Sequence, residues 1–274
     1  MNHDIFQIDV REILQSKAPG LYKKFPGFLI TALEKLIHQD DINQILKDYD
    51  GLTGVDFMQQ VMKRFNIKLN IIGEENIPPL EQKSIFASNH PLGGLDGICL
   101  SSYLGERYDK HIRYLVNDIL YFIQPLQDIF VPINKHGGQA KEAVAILNES
   151  FASDNQIITF PAGLCSRKTH GVIRDPEWKK MFVVKAVEFQ RDVVPVCFEG
   201  RNSALFYNTA NIRKQLGIKI NIEMLLLPGE MFKSQNKTFN IYFGKPIPWQ
   251  TFDGSKTPQQ WTHWVEKEVY KLKN

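Results

Sequence analysis

"FASNHPLGGLDG", residues 86–97, falls into three parts. Phe86-Ala87-Ser88 closes a short apolar run of strand composition, Gly93-Gly94 supply a tight turn, and Asp96 stands where a helix begins. A strand that turns through glycines into a helix opens a βαβ unit, so the stretch predicts an α/β sheet. His90 then sits at the strand's carboxyl edge, where open α/β sheets bind their ligands. A neutral imidazole held at one nitrogen by a carboxylate keeps the other nitrogen as a base, and an ordinary pKa near ~6.5 suits proton transfer at neutral pH. A packed loop histidine and a metal ligand are the competing readings.

Outward from this stretch, short β-rich runs alternate with helical patterns from Lys68 onward: KLNIIG, SIFAS, IRYLV, DIFVPI, QIITF, VVPVCF and FNIYFG. They predict a single mixed, mostly parallel sheet flanked by helices over residues 67–274. Ala143, Val144, Leu147 and Phe151 form a stripe suited to cover that sheet. Thr257-Pro258-Gln259-Gln260 reads as a helix start with a capping box, followed by Trp261, Trp264 and Val265 on the docked side. Residues 1–66 read as an N-terminal helical extension in which Phe28, Leu29, Leu33, Leu36 and Ile37 recur at helical spacing beside Lys23, Lys24 and Lys35. Such a helix suits a membrane interface, and suits the protein's own core equally well.

The chain has 274 residues and a formal net charge of +3. That balance is too small to argue for nucleic acid, and is compatible with mild attraction to anionic headgroups or an acidic carrier protein. Cys99, Cys165 and Cys197 are widely separated and odd in number, which suits a reducing compartment better than a disulfide framework. The first residues lack the basic and apolar regions of a secretory signal. No window approaches the ~20 apolar residues of a membrane-spanning helix. The expected place is cytoplasmic, peripheral on the inner face of the cytoplasmic membrane.

Metal binding by His90 would need further ligands, and His111, His136 and His170 lie in separate segments without paired spacing. Ser88 and Ser166 lack the context of a nucleophile elbow. A dyad without its own nucleophile has one simple chemistry, to activate a hydroxyl that the substrate brings. "ITFPAGLCSRKTHGVIRDPEW" follows another strand and supplies Arg167, Lys168 and Arg174 in a loop suited to an anionic headgroup. "VVPVCFEGRNSALF" ends a third strand with Glu199, Arg201 and Asn202, where a Glu199–Arg201 pair bracing the turn is the plainer reading.

Together these blocks resemble the glycerolipid acyltransferase superfamily, which includes the lysophosphatidate acyltransferases. Asn89-His90 with Asp96 resembles its His–Asp motif, Phe160-Pro161-Ala162-Gly163 its Phe-Pro-Glu-Gly block, Phe130-Val131-Pro132-Ile133-Asn134 its intermediate block, and Val194-Pro195-Val196 its last. More narrowly, NHPLGGLDG, FPAGLCSR, GVIRDPEW and FEGRNSALFY resemble a hemolysin-like branch that includes O-acyltransferases making ornithine and glycine lipids. Two departures stand out. Five residues, not four, separate His90 from Asp96, and Ala162 replaces the glutamate, which weakens the case for a glycerol phosphate acceptor.

The resemblance implies transfer of a fatty acyl group from an acyl carrier protein or coenzyme A thioester to the hydroxyl of a lyso-lipid, an N-(3-hydroxyacyl) amino acid of the ornithine or glycine type. His90 would be the base and Asp96 its support. Asn89, Arg167, Lys168, Arg174 and Arg201 would bind substrate, and amides at Gly93, Gly94 or Gly163 would meet the oxyanion. No metal or permanently bound cofactor is expected; the partners are the acyl donor, the lyso-lipid acceptor and a membrane surface. Lysophosphatidate as acceptor, a thioesterase or lipase, and an inactive lipid-binding protein are the alternatives.

Overall fold

The computed structural model describes residues 6–17, 19–116, 123–133 and 140–273. The chain divides into two compact units, residues 1–52 with 202–235, and residues 53–201 with 236–274. The smaller holds α1 (Val10–Lys17), α2 (Pro19–Lys24), α3 (Gly27–Leu36), α4 (Gln39–Asp48), α9 (Ala204–Gln215) and α10 (Leu227–Phe232). Helical spacing alone runs one helix through Pro26. The chain instead breaks there, with Pro26 as the cap of α3, because the residue before a proline is pushed out of the helical region. Phe28, Leu29 and Leu36 of the expected apolar face are exposed, while Ile30 is buried.

The larger unit contains α5 (Gly54–Arg64), α6 (Gly94–Arg107), α7 (Ala140–Ala152), α8 (Met181–Glu188) and α11 (Pro258–Lys271). Its sheet has seven strands: β1 (Lys68–Ile72), β2 (Ser84–Ser88), β3 (Ile112–Val116), β4 (Phe130–Pro132), β5 (Gln156–Thr159), β8 (Asp192–Phe198) and β9 (Thr238–Phe243). All seven β-rich runs of the sequence are present. Their spatial order is β1-β9-β8-β2-β5-β3-β4, parallel throughout except where β9 runs antiparallel to β8. The mixed, mostly parallel sheet is therefore as expected. Unforeseen is the hairpin of β6 (Arg167–Thr169) and β7 (Val172–Arg174), antiparallel and outside the main sheet.

Central β2 is buried along its whole length, and its side chains alternate between the two faces as strand geometry requires. Ile85 and Ala87 join a core with Phe151, Phe182, Val183, Trp261, Val265 and Val269 from α7, α8 and α11. Phe86 meets Tyr108, at the end of α6, with ring centroids 5.9 Å apart. Burying an aliphatic or aromatic side chain contributes roughly 1.5–3 kcal/mol, so this two-sided burial fixes β2 and the residues that leave it. Val144, expected to cover the sheet, is exposed. Helix α11 starts as expected, with Thr257 Oγ1 accepting the Gln260 N–H and Gln260 Oε1 accepting the Thr257 N–H.

Candidate active site

Parallel β2, β5 and β8 point their carboxyl ends the same way, and each continues into one of the polar turns singled out in the sequence. From β2 come Asn89 and His90. Asn89 is bonded to the end of β8: its Nδ2 donates to the Phe198 carbonyl at 2.9 Å and its Oδ1 accepts the Phe198 N–H at 2.6 Å. Expected as a substrate ligand, it instead uses both halves of its amide to tie two strand ends together, which fixes where His90 leaves the sheet.

Gly93, at φ +81°, makes the turn into α6 in a backbone region that other L residues avoid. Two residues into α6 stands Asp96, fully buried, with Oδ1 2.9 Å from Nδ1 of His90, whose side chain is 14% exposed. The ring and the carboxylate are close, although the ring N–H lies off the line of a hydrogen bond. Asp96 is itself held by the Leu92 N–H at 2.8 Å and the Gly97 N–H at 2.9 Å, and the first turn of a helix favours its negative charge. Gly97 lets α6 approach β3, since a Cβ there would overlap the Tyr114 hydroxyl. The extra residue between His90 and Asp96 is thus absorbed by the turn without separating the pair.

Phe160, following β5, packs on the imidazole with ring centroids 4.3 Å apart. The Ser166 N–H donates to the His90 carbonyl at 2.7 Å. A second carboxylate, not singled out by residue type and spacing, completes the setting. Asp175 accepts the His90 backbone N–H at 3.1 and 3.2 Å, the Ser166 hydroxyl at 2.6 Å and the Trp178 indole N–H at 3.0 Å. Its own N–H donates to the Tyr270 hydroxyl at 3.0 Å. The available signal was the Asp-Pro step closing GVIRDPEW, a turn former placed before a buried tryptophan.

Burial pushes the His90 pKa down, but the Asp96 and Asp175 carboxylates outweigh it and hold the imidazole above the ordinary histidine value. Burial pushes the Asp175 carboxyl up, against hydrogen bonds that favour its anion.

The basic residues divide. Arg167 and Arg174 face each other across the β6–β7 hairpin. Arg167 Nη1 donates to the Cys165 carbonyl at 2.6 Å. Arg174 lies 4.2 Å over the Tyr270 ring and 3.2 Å from Glu266. Lys168 is exposed. Arg201 instead lines a cleft of about 250 Å³ with Asn89, Ser166, Glu199, Tyr270 and Lys273; this cleft runs beside the His90 backbone, and the imidazole is not part of its wall. The expected partner of Glu199 is replaced: Glu199 accepts from Asn240 and Tyr242 at 2.9 and 3.2 Å and lies 3.5 Å from Lys273.

The amides also separate. The Gly163 N–H donates to the Phe160 carbonyl at 2.9 Å, closing its own turn and leaving nothing for an oxyanion. Gly93 and Gly94 stand at the start of α6, where N–H groups lack helical partners. Ala162 is buried in the apolar core. Asn134 and His136 lie outside the described residues.

Residues 12–274 match the family model described as acyltransferase. The chain is 53% identical over 268 residues to a lyso-glycine lipid O-acyltransferase of Bacteroides thetaiotaomicron, covering 98% of each chain. It is 52% identical over 268 residues to the protein of the same description from Phocaeicola vulgatus, covering 98% of this chain and 96% of that one. A solved structure, the 1-acyl-sn-glycerophosphate acyltransferase PlsC of Thermotoga maritima, aligns with a TM-score of 0.48 at 14% identity, over 90% of this chain and 92% of that one.

Proposed function

This chain belongs to the acyltransferase family, and from that premise we propose that it esterifies the free hydroxyl of a lyso-lipid, an N-(3-hydroxyacyl) amino acid with glycine as headgroup. The donor is an acyl thioester of acyl carrier protein or coenzyme A. The observation that carries this reading is the 2.9 Å approach of His90 Nδ1 to the buried carboxylate of Asp96. That contact leaves Nε2 of His90 as the nitrogen available to an incoming alcohol.

In the reaction His90 Nε2 takes the hydroxyl proton as the alcohol oxygen attacks the thioester carbonyl. A new C–O bond forms, and the carbonyl oxygen becomes an anion; the Gly93 and Gly94 amides, at the positive end of α6, are the candidates to meet it. Collapse of this intermediate breaks the C–S bond, and the imidazolium returns its proton to the leaving thiolate. Asp96 stabilises the imidazolium without accepting its proton. General-base assistance of this kind contributes ~10²–10⁴-fold.

The relatives act, by their description, on lyso-glycine lipid, and the buried alanine at position 162 supports an acceptor other than glycerol phosphate. Arg167, Lys168, Arg174 and Arg201 remain the candidates for its carboxylate. Residues 1–66 are proposed to help hold the enzyme at a membrane surface.

The test is direct. Purified protein is given lyso-glycine lipid or lysophosphatidate with acyl-carrier-protein or coenzyme A thioesters, and products are identified by mass. Esterified glycine lipid, lost in His90→Ala and Asp96→Asn, is the expected result. Acylation of lysophosphatidate alone, or rapid release of free fatty acid without acceptor, would overturn the reading.

A further inference from the structure

Eighteen large apolar side chains are exposed among the described residues. Five lie between Ile13 and Leu36 and seven between Leu205 and Leu225, all in the smaller unit, which holds less than a third of the chain. The second group is centred on the end of α9 and the loop after it, where every residue from Lys214 to Ile220 is exposed. Its tip presents Leu216, Ile218 and Ile220 at 68%, 39% and 75% exposure.

This loop is braced. At its base Arg213 lies 2.8 Å from the fully buried Glu223, and Arg213 Nη1 donates to the Ile218 carbonyl at 2.7 Å. The Ile218 N–H returns to the Arg213 carbonyl at 3.1 Å, and Gly217 turns the chain at φ +68°. The Arg213 side chain and the Ile218 peptide groups are thus tied to the base of the loop while its aliphatic side chains are displayed. Solvation alone would select the reverse, so the exposed tip asks for an occupant.

Charge chooses that occupant. Lys214 and Lys219 alternate with the aliphatic tip and form no ion pair among the described residues, and the acid of the segment, Glu223, is buried against Arg213. Aliphatic groups between unneutralised lysines match the boundary of an anionic bilayer, where side chains enter the acyl layer and ammonium groups remain among the phosphates.

We propose that residues 213–222 form a membrane-insertion tip that docks the smaller unit on an anionic lipid surface. The proposal rests on the reading of the acceptor as a lipid, which the enzyme must meet at such a surface. It adds to the N-terminal helices a second contact, drawn from a segment far along the chain.

The experiment uses the full chain and vesicles of phosphatidylglycerol with phosphatidylethanolamine. Flotation is measured beside acyl transfer to acceptor dispersed in nonionic detergent, for wild type and for Leu216→Asp/Ile220→Asp. The expected result is a vesicle-bound fraction lowered at least tenfold, with detergent activity and melting temperature unchanged. Leu216→Ser/Ile220→Ser, a milder change, should lower binding in the same direction, and Lys214→Ala/Lys219→Ala should make the residual binding less sensitive to salt. Unchanged flotation of both tip variants, or no flotation of the wild type, overturns the proposal. So does conversion of a dimer to a monomer with flotation retained, which would assign the tip to a second copy of the chain. If the wild type transfers no acyl group yet floats by way of the tip, the enzymatic reading fails and this one stands.

Discussion

Asp175 receives the backbone N–H of His90 on both carboxylate oxygens, at 3.2 and 3.1 Å. The same carboxylate holds the Ser166 hydroxyl and the Trp178 indole, so it joins the strand end, the hairpin and α8's approach through one buried group. It also raises the His90 pKa together with Asp96, against the downward push of burial. The base works as neutral imidazole, so turnover should rise as pH climbs through that raised pKa. Asp175→Asn keeps the shape and removes the charge. The His90 pKa then falls, and the acid limb of kcat moves to lower pH. Weakening charge-assisted hydrogen bonds worth roughly 1.5–3 kcal/mol lowers the plateau by about 10–100-fold. An acid limb that stays in place while the plateau falls would reduce Asp175 to a purely structural role.

Asn89 makes a different prediction from the one its place beside His90 suggests. Asn89→Ala strips partners from both the N–H and the carbonyl of Phe198. Unpaired buried groups cost about 1–3 kcal/mol each, so the loss of stability should be about 2–4 kcal/mol, read from the denaturant midpoint. Kinetically, kcat should drop with the displacement of His90 while KM for the acceptor changes little. A selective rise in KM would restore Asn89 as a substrate ligand.

The sheet was legible because each strand is a contiguous apolar run between turn formers, and period two survives without tertiary information. The His90–Asp96 pair was legible for a related reason: strand, glycine turn and helix are neighbours in the chain. What stayed hidden depends on distant partners. Asp175 is 85 positions from the backbone N–H it holds, and Asn89 is 109 from the strand end it binds. Nothing near Arg174 in the chain announces that α11 brings Glu266 and Tyr270 against it. The β6–β7 hairpin was missed because its strands are three residues each, too short for a period to declare itself.

Arg191 supports the fold from beneath the sheet. Its fully buried guanidinium donates to the carbonyls of Phe151 at 2.6 Å and Asn155 at 2.8 Å, and also to that of Ser153. These carbonyls lie in the last turn of α7 and just beyond it, where helix geometry leaves acceptors without donors. Burial lowers the Arg191 pKa to about 10, so the group stays charged at neutral pH. Arg191→Leu fills the space but leaves three buried carbonyls unpaired, and should cost about 3–5 kcal/mol. Equilibrium unfolding measures it, and a change smaller than about 1 kcal/mol, the worth of one ordinary hydrogen bond, would contradict this role.

Cysteine chemistry is the other route for an acyl group through the protein. Cys99, Cys165 and Cys197 are all buried and free. Burial pushes the Cys165 and Cys197 thiols up to about 11 and drives Cys99 well above its ordinary value. A thiolate is the reactive form, so none of the three is poised to attack a thioester near neutral pH. The native protein should therefore resist a thiol-specific disulfide reagent, while the denatured chain should release three equivalents, one per cysteine in the sequence. Cys165→Ser and Cys197→Ser should each retain most of the acyl transfer. Trapping of an acylated cysteine, or loss of activity in either serine variant with the fold intact, would replace direct transfer by a covalent route.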